Sequence, residues 1–356
     1  MEEIKIQPKK IILNIIFVIL LSVFALFLIS LFFHKASIKI WLKAVQPRYL
    51  LLTLGLIIFE WFLEAVRIQR IIHALGNKIT FPEILKITLI GSFFAKITPF
   101  DTGGEPFEIY LLHTTQSLSL GESTAVIMIK TLMGHFARLS LGIVLPFLVI
   151  FFWHQWFLSK TASIVVNIGL FIYLFFVFFL LFITFKPDKA KRFITYLINH
   201  PFFPRFHPKK IERWLTRLSH TIDDFNEAKL KLFKTKTKDM IIVAGYSLLC
   251  WISIIFVPVA VLWGMGIHSP ILEVIAVMAI FYLASAYAPT PGSSGAAELG
   301  FATLFSLLVP HTFLGIFVII WRLLTYYTAL FVGGMLTFKE IVSKKLKLKS
   351  PPKRDL

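Results

Sequence analysis

The stretch TPFDTGGE at residues 98–105 interrupts one apolar part of the chain, and TPGSSGAAE at residues 290–298 interrupts another. In both stretches a proline and glycines precede a glutamate, and the proline and one glycine recur 192 positions apart. Non-helical backbone persists at membrane depth only where protein or a water-filled cavity satisfies its polar groups. Paired interruptions in two halves of a chain therefore predict a transporter-type site near the middle of the bilayer.

The composition of the rest of the chain is that of a membrane protein. Of the 356 residues, 57% are hydrophobic and 16% are charged, against about 25% charged residues in an ordinary soluble domain. A soluble globule cannot bury so much apolar surface. We therefore predict an all-α, polytopic integral membrane protein. A secreted disulfide scaffold is excluded, because Cys250 is the one cysteine.

Six apolar runs are long enough to cross a bilayer, which requires about 20 residues in a helix. Shorter apolar segments flank the two interruptions. Each range, 82–118 and 270–309, contains two short apolar segments. Counting the crossings of the full spans requires both segments of a range to enter and leave on the same side of the membrane. The prediction is thus about six full spans plus two broken, re-entrant helical hairpins that enter from opposite faces. The six runs are 11–33, 49–72, 122–153, 161–185, 240–263 and 312–338.

The positive charge is concentrated outside the apolar runs. The net charge is +18, and 24 of the 37 Lys and Arg residues lie before the first run, in residues 186–239 or in the tail at 339–356. This is the positive-inside pattern. It predicts a multi-pass protein of the cell (plasma) membrane with cytoplasmic N- and C-termini. It also favours a membrane rather than a nucleic acid as the partner of these charges.

The same pattern divides the chain into four parts. The central loop is basic, contains four prolines and is expected to carry an amphipathic helix near 209–234. The predicted parts are a first membrane half (1–185) with a broken segment at 98–106, a basic cytoplasmic loop (186–239), a second membrane half (240–338) with a broken segment at 288–298, and a basic cytoplasmic tail (339–356).

Three segments resemble the transmembrane domain of the lysylphosphatidylglycerol synthase/flippase family, which includes the multiple peptide resistance factors. They are TPFDTGGEPFEIYLL (98–112), YAPTPGSSGAAELGFATLF (287–305) and IIWRLLTYYTALFVGG (319–334). The resemblance implies a flippase that moves an aminoacylated, lysylphosphatidylglycerol-like phospholipid between leaflets. The family's full synthases add a soluble aminoacyl-transferase domain, whereas this sequence stops at Leu356, so lysyl transfer by this chain is not expected.

One departure from the family concerns the helix after the first interruption. Many members carry a Glu-Arg pair there, whereas this sequence reads IMIKTLMGHFARL at residues 127–139. Lys130 and Arg138 are the candidates to replace that pair.

The candidate substrate-binding residues follow from the chemistry of a lipid head group. Arg138 and Arg322 are the expected partners of a phosphate, because arginine offers a bidentate fork. Glu105 and Glu298 are the expected partners of an ammonium group, although internal Glu–Arg ion pairs are an equal alternative. Helix N-termini at the interruptions favour anions, and a serine is the expected N-cap in the second. The interruptions add Gly103, Gly104, Ser293, Ser294 and Gly295 to the set.

A further charged group, Glu60, Glu64 and Arg67, lies at helical spacing within the second run. It is expected to form a structural pair, with a role in lining a cavity as the alternative.

No catalytic, nucleotide-binding or metal-binding signature is present in the sequence, so no cofactor or metal is expected. The expected partners are the lipid bilayer and a membrane phospholipid, with a second copy of the chain or a separate lipid synthase left open. Two other functions also stay open. One is a membrane-bound lipid-modifying transferase that works with a soluble synthase, and the other is an accessory subunit of an envelope glycolipid pathway.

Overall fold

The computed structural model describes residues 46–98, 103–116, 118–153, 160–199, 208–285, 290 and 292–349. The regular elements within these ranges are all helices. The predicted span at 11–33 lies outside the described residues, as do Pro99, Asp101 and Pro291 in the two interruptions.

Twelve helices are described, and two of them continue into π-helical turns. They are α1 (Pro47–Ala74), α2 (Phe81–Ile97), α3 (Gly104–Thr115), α4 (Leu120–Trp153), α5 (Lys160–Phe185), α6 (Pro187–Asn199), α7 (Pro208–Leu230), α8 (Thr237–Gly264), α9 (Ile271–Ser285), α10 (Ala296–Phe305), α11 (His311–Arg322) and α12 (Thr328–Lys349). The π-helical turns are Lys231–Thr235 after α7 and Leu323–Tyr327 between α11 and α12.

Five of the described segments are long and apolar enough to cross a membrane: α1, most of α4, most of α5, α8 and the continuous helix from α11 into α12. The prediction of an all-α polytopic membrane protein is confirmed. The predicted helices agree with the structure to within a few residues, with one extension. Helix α12 continues to Lys349, well into the predicted tail, because the basic residues after Lys339 do not interrupt helical backbone.

Helices α1 and α8 are equivalent elements of an internal repeat. Each has 28 residues, and each begins and ends 190 positions from the other. A glycine with positive φ lies two residues beyond the end of each helix, with φ of 92° at Gly76 and 70° at Gly266. The next N–H, of Asn77 or Ile267, donates to a carbonyl five residues earlier. This is the Schellman ending of a helix, and its recurrence places α2 and α9 at the same 190-residue offset.

The two copies of the repeat run in opposite directions. The Gln46 N–H donates to the Gly264 carbonyl oxygen at 2.9 Å, so the start of α1 lies beside the end of α8. At the opposite end, Arg70 Nε donates to Asp239 Oδ1 at 2.7 Å. Helices α1 and α8 are therefore antiparallel, as in the inverted-topology repeats of many transporters.

The centre of this arrangement lies where Glu60 and Cys250 meet. These residues occupy equivalent positions, 190 apart, and the Cys250 sulfur lies 4.0 Å from the Glu60 carbonyl oxygen. A residue touches its own repeat equivalent only near the axis that relates the two copies. The pseudo-twofold axis therefore passes close to the α1–α8 crossing.

Each copy packs on a long helix of the other. Helix α2 packs on α12, and its equivalent α9 packs on α4. Glycines bring these helices close together: a Cβ at Gly333 would lie 2.3 Å from the Leu89 carbonyl oxygen, and one at Gly142 would lie 2.3 Å from the Leu283 side chain. These contacts join the first half of the chain to the second half.

Candidate functional site

The second interruption is a tight turn with unusual backbone conformation. Positive φ angles occur at Gly292 (55°), Ser293 (54°) and Gly295 (83°). A Cβ at Gly292 would lie 2.3 Å from the Lys96 carbonyl oxygen. Positive φ at a residue other than glycine, as at Ser293, is uncommon and marks a conformation imposed by its surroundings.

The two interruptions contact each other. The Gly292 N–H donates to the Thr98 carbonyl oxygen at 3.0 Å, and the Tyr326 hydroxyl donates to the Lys96 carbonyl oxygen at 2.7 Å. Within the first interruption the Gly103 N–H donates to Thr98 Oγ1 at 2.9 Å. The end of α2 is thus joined by hydrogen bonds to the second interruption and to the π-helical turn that precedes α12.

The predicted pair Glu298 and Arg322 forms an internal ion pair, which was one of the two alternatives. Arg322 Nε donates to Glu298 Oε1 at 2.8 Å, and both side chains are buried. Arg322 also donates to the Gly292 carbonyl oxygen at 3.1 Å. This arginine therefore fastens the second interruption to the end of α11.

The predicted serine N-cap of α10 is wrong, because the N-cap is Gly295. The Gly295 N–H donates to Glu298 Oε2 at 2.6 Å, so the glutamate satisfies the helix start itself. The Ser294 hydroxyl instead faces Arg322, 3.4 Å from one guanidinium nitrogen. Glu298 accepts hydrogen bonds from both the Gly295 N–H and Arg322, so the start of α10 requires no serine cap.

The two predicted glycines of the first interruption lie at the α2–α3 corner. A Cβ at Gly104 would lie 2.8 Å from the Gly91 carbonyl oxygen, so this glycine allows α3 to pack closely on α2. Gly103 is the N-cap of α3 and has an ordinary φ of −72°. Glu105 is half-buried and acts electrostatically on Lys130.

A second buried ionic network was only partly foreseen from the sequence. Lys130 Nζ lies 2.6 Å from a carboxylate oxygen of Glu108 and 3.2 Å from one of Glu64. Glu64 also pairs with Arg67 at 2.5 Å, and Arg67 donates to the Ser247 hydroxyl at 2.9 Å. Glu108 was missed. The available signal was a carboxylate within an apolar helix, which is costly in a membrane unless it is paired or functional.

The two networks have the same plan. In each half, the short helix after the interruption carries a glutamate that pairs with a cation on the following long helix. The pairs are Glu108 with Lys130 and Glu298 with Arg322. The repeat thus extends from backbone to charged side chains.

Between these networks lies a cavity of about 330 Å³. It is lined by α1, α2, α4, α8, α9, α11, the π-helical turn and α12, and the second interruption. Of the nine predicted binding residues, Arg138, Arg322 and Ser293 line it. Glu60 and Glu64 of helix α1 also line the cavity.

Arg138 is held in an aromatic setting. It donates to the Tyr282 carbonyl oxygen, and its guanidinium carbon lies 4.8 Å from the ring centre of Trp251 and 5.1 Å from that of Tyr173. Cation–π contacts of this kind hold a guanidinium against the faces of the neighbouring aromatic rings. The cavity therefore presents positive and negative groups together.

The fold and site define an all-α, polytopic membrane protein built from an inverted repeat around a charged cavity. The family described as the lysylphosphatidylglycerol synthase TM region matches residues 13–333, and the chain belongs to this family. A UPF0104 membrane protein of Archaeoglobus fulgidus is 26% identical over 318 residues, covering 88% of this chain and 94% of that relative. No solved structure matches the chain.

Proposed function

We propose that this protein moves a polar lipid, such as a phospholipid, between the leaflets of the cell membrane. The observation that carries the proposal is the cavity between two antiparallel repeat halves, lined by both Arg138 and Arg322 and by Glu60 and Glu64. A polar head group can cross the hydrocarbon only if protein groups replace its water. This cavity supplies partners for both signs of charge.

The inverted repeat suggests how such a site opens alternately to the two faces. In this proposal the hairpins α2–α3 and α9–α10 are re-entrant and enter from opposite faces, with the N- and C-termini in the cytoplasm. The contacts of Gly292 with Thr98 and of Tyr326 with Lys96, at and beside the interruptions, break on one side and re-form as the halves exchange conformations. The antiparallel α1–α8 pair serves as the fixed centre of the motion.

The named charges have separate roles in the proposed cycle. Arg138 meets the lipid phosphate, because its guanidinium lines the cavity and arginine offers a bidentate fork to a phosphate. Arg322 keeps the second interruption in shape and presents its remaining donors to the cavity. Glu60 and Glu64 meet a cationic part of the head group where the lipid has one.

The proposal is tested with the purified protein in liposomes that contain a trace of fluorescent phospholipid. A membrane-impermeant reductant bleaches the outer leaflet, and protein-dependent loss of the protected inner signal reports translocation. We expect Arg138→Gln to slow translocation about tenfold or more, since a charge-assisted hydrogen bond contributes about 1.5–3 kcal/mol. Arg70→Gln is the matched control, because Arg70 forms an exposed pair away from the cavity. Equal rates with and without wild-type protein would overturn the proposal.

A further inference from the structure

Glu60 differs from the other carboxylates near the cavity. Glu64, Glu108 and Glu298 each lie within ion-pair distance of a cation. The Glu60 carboxylate has neither an ion-pair partner nor a hydrogen-bond donor among the residues that the structure describes, although it lines the cavity and is half-buried. An acidic group in this position is costly as an anion whenever the cavity closes to water.

Charged and titratable groups on several elements share the cavity or its edge with Glu60. Glu64 repels its ionised form, whereas cations favour that form. The surrounding groups are Glu64 and Arg67 on its own helix, Lys96 on α2, Lys130 and Arg138 on α4, Cys250 on α8 and Arg322 on α11. Gain or loss of one proton at Glu60 therefore changes the net charge that the cavity offers to a head group.

The position of Glu60 suits a group that must be reached from both faces. It lies at the α1–α8 crossing, where its carbonyl oxygen meets the thiol of its repeat equivalent Cys250. A group near the pseudo-twofold axis has similar surroundings whichever half has opened. Glu64, one turn further along α1, also lies 4.0 Å from the Cys250 sulfur, but its carboxylate is already paired with Arg67 and Lys130.

We propose that Glu60 binds a proton when the cavity is open to one face and releases it to the other, so that lipid movement is coupled to a proton gradient. This inference rests on the proposed transport function. A proton from water on the first face joins a carboxylate oxygen of Glu60, and the resulting carboxyl later loses it to water on the second face. One proton crosses per cycle, and no bond of the lipid is made or broken.

The test compares the wild type, Glu60→Gln and Glu227→Gln in liposomes with an imposed pH difference. Glu227 is exposed on α7, so its substitution makes the same charge change away from the cavity. An enclosed pH-sensitive dye reports proton flux, and the fluorescent phospholipid reports lipid movement. With one proton per lipid, one pH unit of gradient supports up to about a tenfold lipid ratio between leaflets. We expect that ratio and the lipid-dependent proton flux in the wild type and in Glu227→Gln.

In Glu60→Gln we expect no lipid-dependent proton flux and the same lipid distribution with or without the gradient. Proton flux that persists in Glu60→Gln, or wild-type transport that ignores the gradient, would overturn the inference. An infrared titration of the protein in detergent is a second test that needs no transport. A carboxyl band that appears on acidification in the wild type and is missing in Glu60→Gln supports the proton site, and identical spectra would refute it. Absence of wild-type lipid movement would refute the transport function, whereas the infrared result still decides the proton site.

Discussion

Removing both partners of the Glu298–Arg322 pair should destabilise the protein by clearly less than the sum of the two single removals. Arg322→Met leaves the Glu298 carboxylate fully buried, with the Gly295 N–H as its remaining donor in the described structure. Loss of one partner from a buried pair costs about 3–5 kcal/mol of unfolding free energy. Glu298→Gln keeps an oxygen for Gly295 but leaves a buried guanidinium with a neutral partner.

The magnitude for the double variant follows from the same contacts. Glu298→Gln alone should cost about 1–3 kcal/mol, because the Arg322 guanidinium stays charged but loses the carboxylate that neutralises it. The double variant has no unpaired charge, and its glutamine still accepts from the Gly295 N–H. Its cost should therefore fall about 2–3 kcal/mol below the sum of the two single costs, within the range of coupling energies for contacting residues.

The assay is equilibrium unfolding in mixed micelles, with helix content followed as a denaturing detergent is added. Arg70→Met is the control, since its pair with Asp239 is partly exposed and should contribute about 0–1 kcal/mol. Additive costs for Glu298→Gln and Arg322→Met, to within about 0.5 kcal/mol, would refute the reasoning that the two charges depend on each other.

Three further predictions concern other parts of the fold. Gly292→Ala should cost about 1–3 kcal/mol of stability, since φ is 55° there and a Cβ would lie 2.3 Å from a carbonyl oxygen of α2; unchanged stability in the micelle assay would contradict this. Gly333→Ala should loosen the α2–α12 contact and lower the thermal stability measured by size-exclusion chromatography. Gly245→Ala is the control, because a Cβ there would meet open space, and it should leave the thermal stability unchanged. Equal losses of thermal stability in the two variants would refute the packing argument. Hydrogen bonds from Thr80 hold the pKa of the Glu83 carboxyl below its usual value. The contribution of Glu83 to stability should therefore be fully present above the ordinary glutamate pKa. It should disappear as the pH falls through the lowered pKa of the folded protein. Thr80→Val should weaken that acid dependence, and an unchanged pH–stability profile would count against the capping interaction.

Sequence patterns predicted the elements that local chemistry determines. Long apolar runs became helices because the backbone must satisfy its own hydrogen bonds in a membrane. The interruptions at 98–105 and 290–298 were recognisable because proline and glycine end helices. Glu298 and Arg322 were singled out because buried charges in apolar helices are costly. The structure brings these two together, with Arg322 lining the cavity.

Other features depend on how distant helices pack, which residue spacing alone does not encode. Glu108 is one such case, since its pairing with Lys130 joins two helices whose relative rotation is set by tertiary contacts. The 190-residue repeat of α1 and α8 was also hidden, because the visible motifs of the two interruptions recur at offsets of 192 and 193. The meeting of Glu60 with Cys250 at the axis requires the antiparallel packing of those helices.

The most direct test of the central claim is to locate the lipid head group during transport. A phospholipid with a photoreactive diazirine on its head group would be activated in liposomes that contain the protein, and the labelled peptides would be identified by mass spectrometry. If the head group passes through the cavity, residues that line it, such as Trp251 and Trp321, will be labelled. Labelling confined to the exposed outer faces of α4 and α5, for example at Phe151 and Phe171, would contradict it.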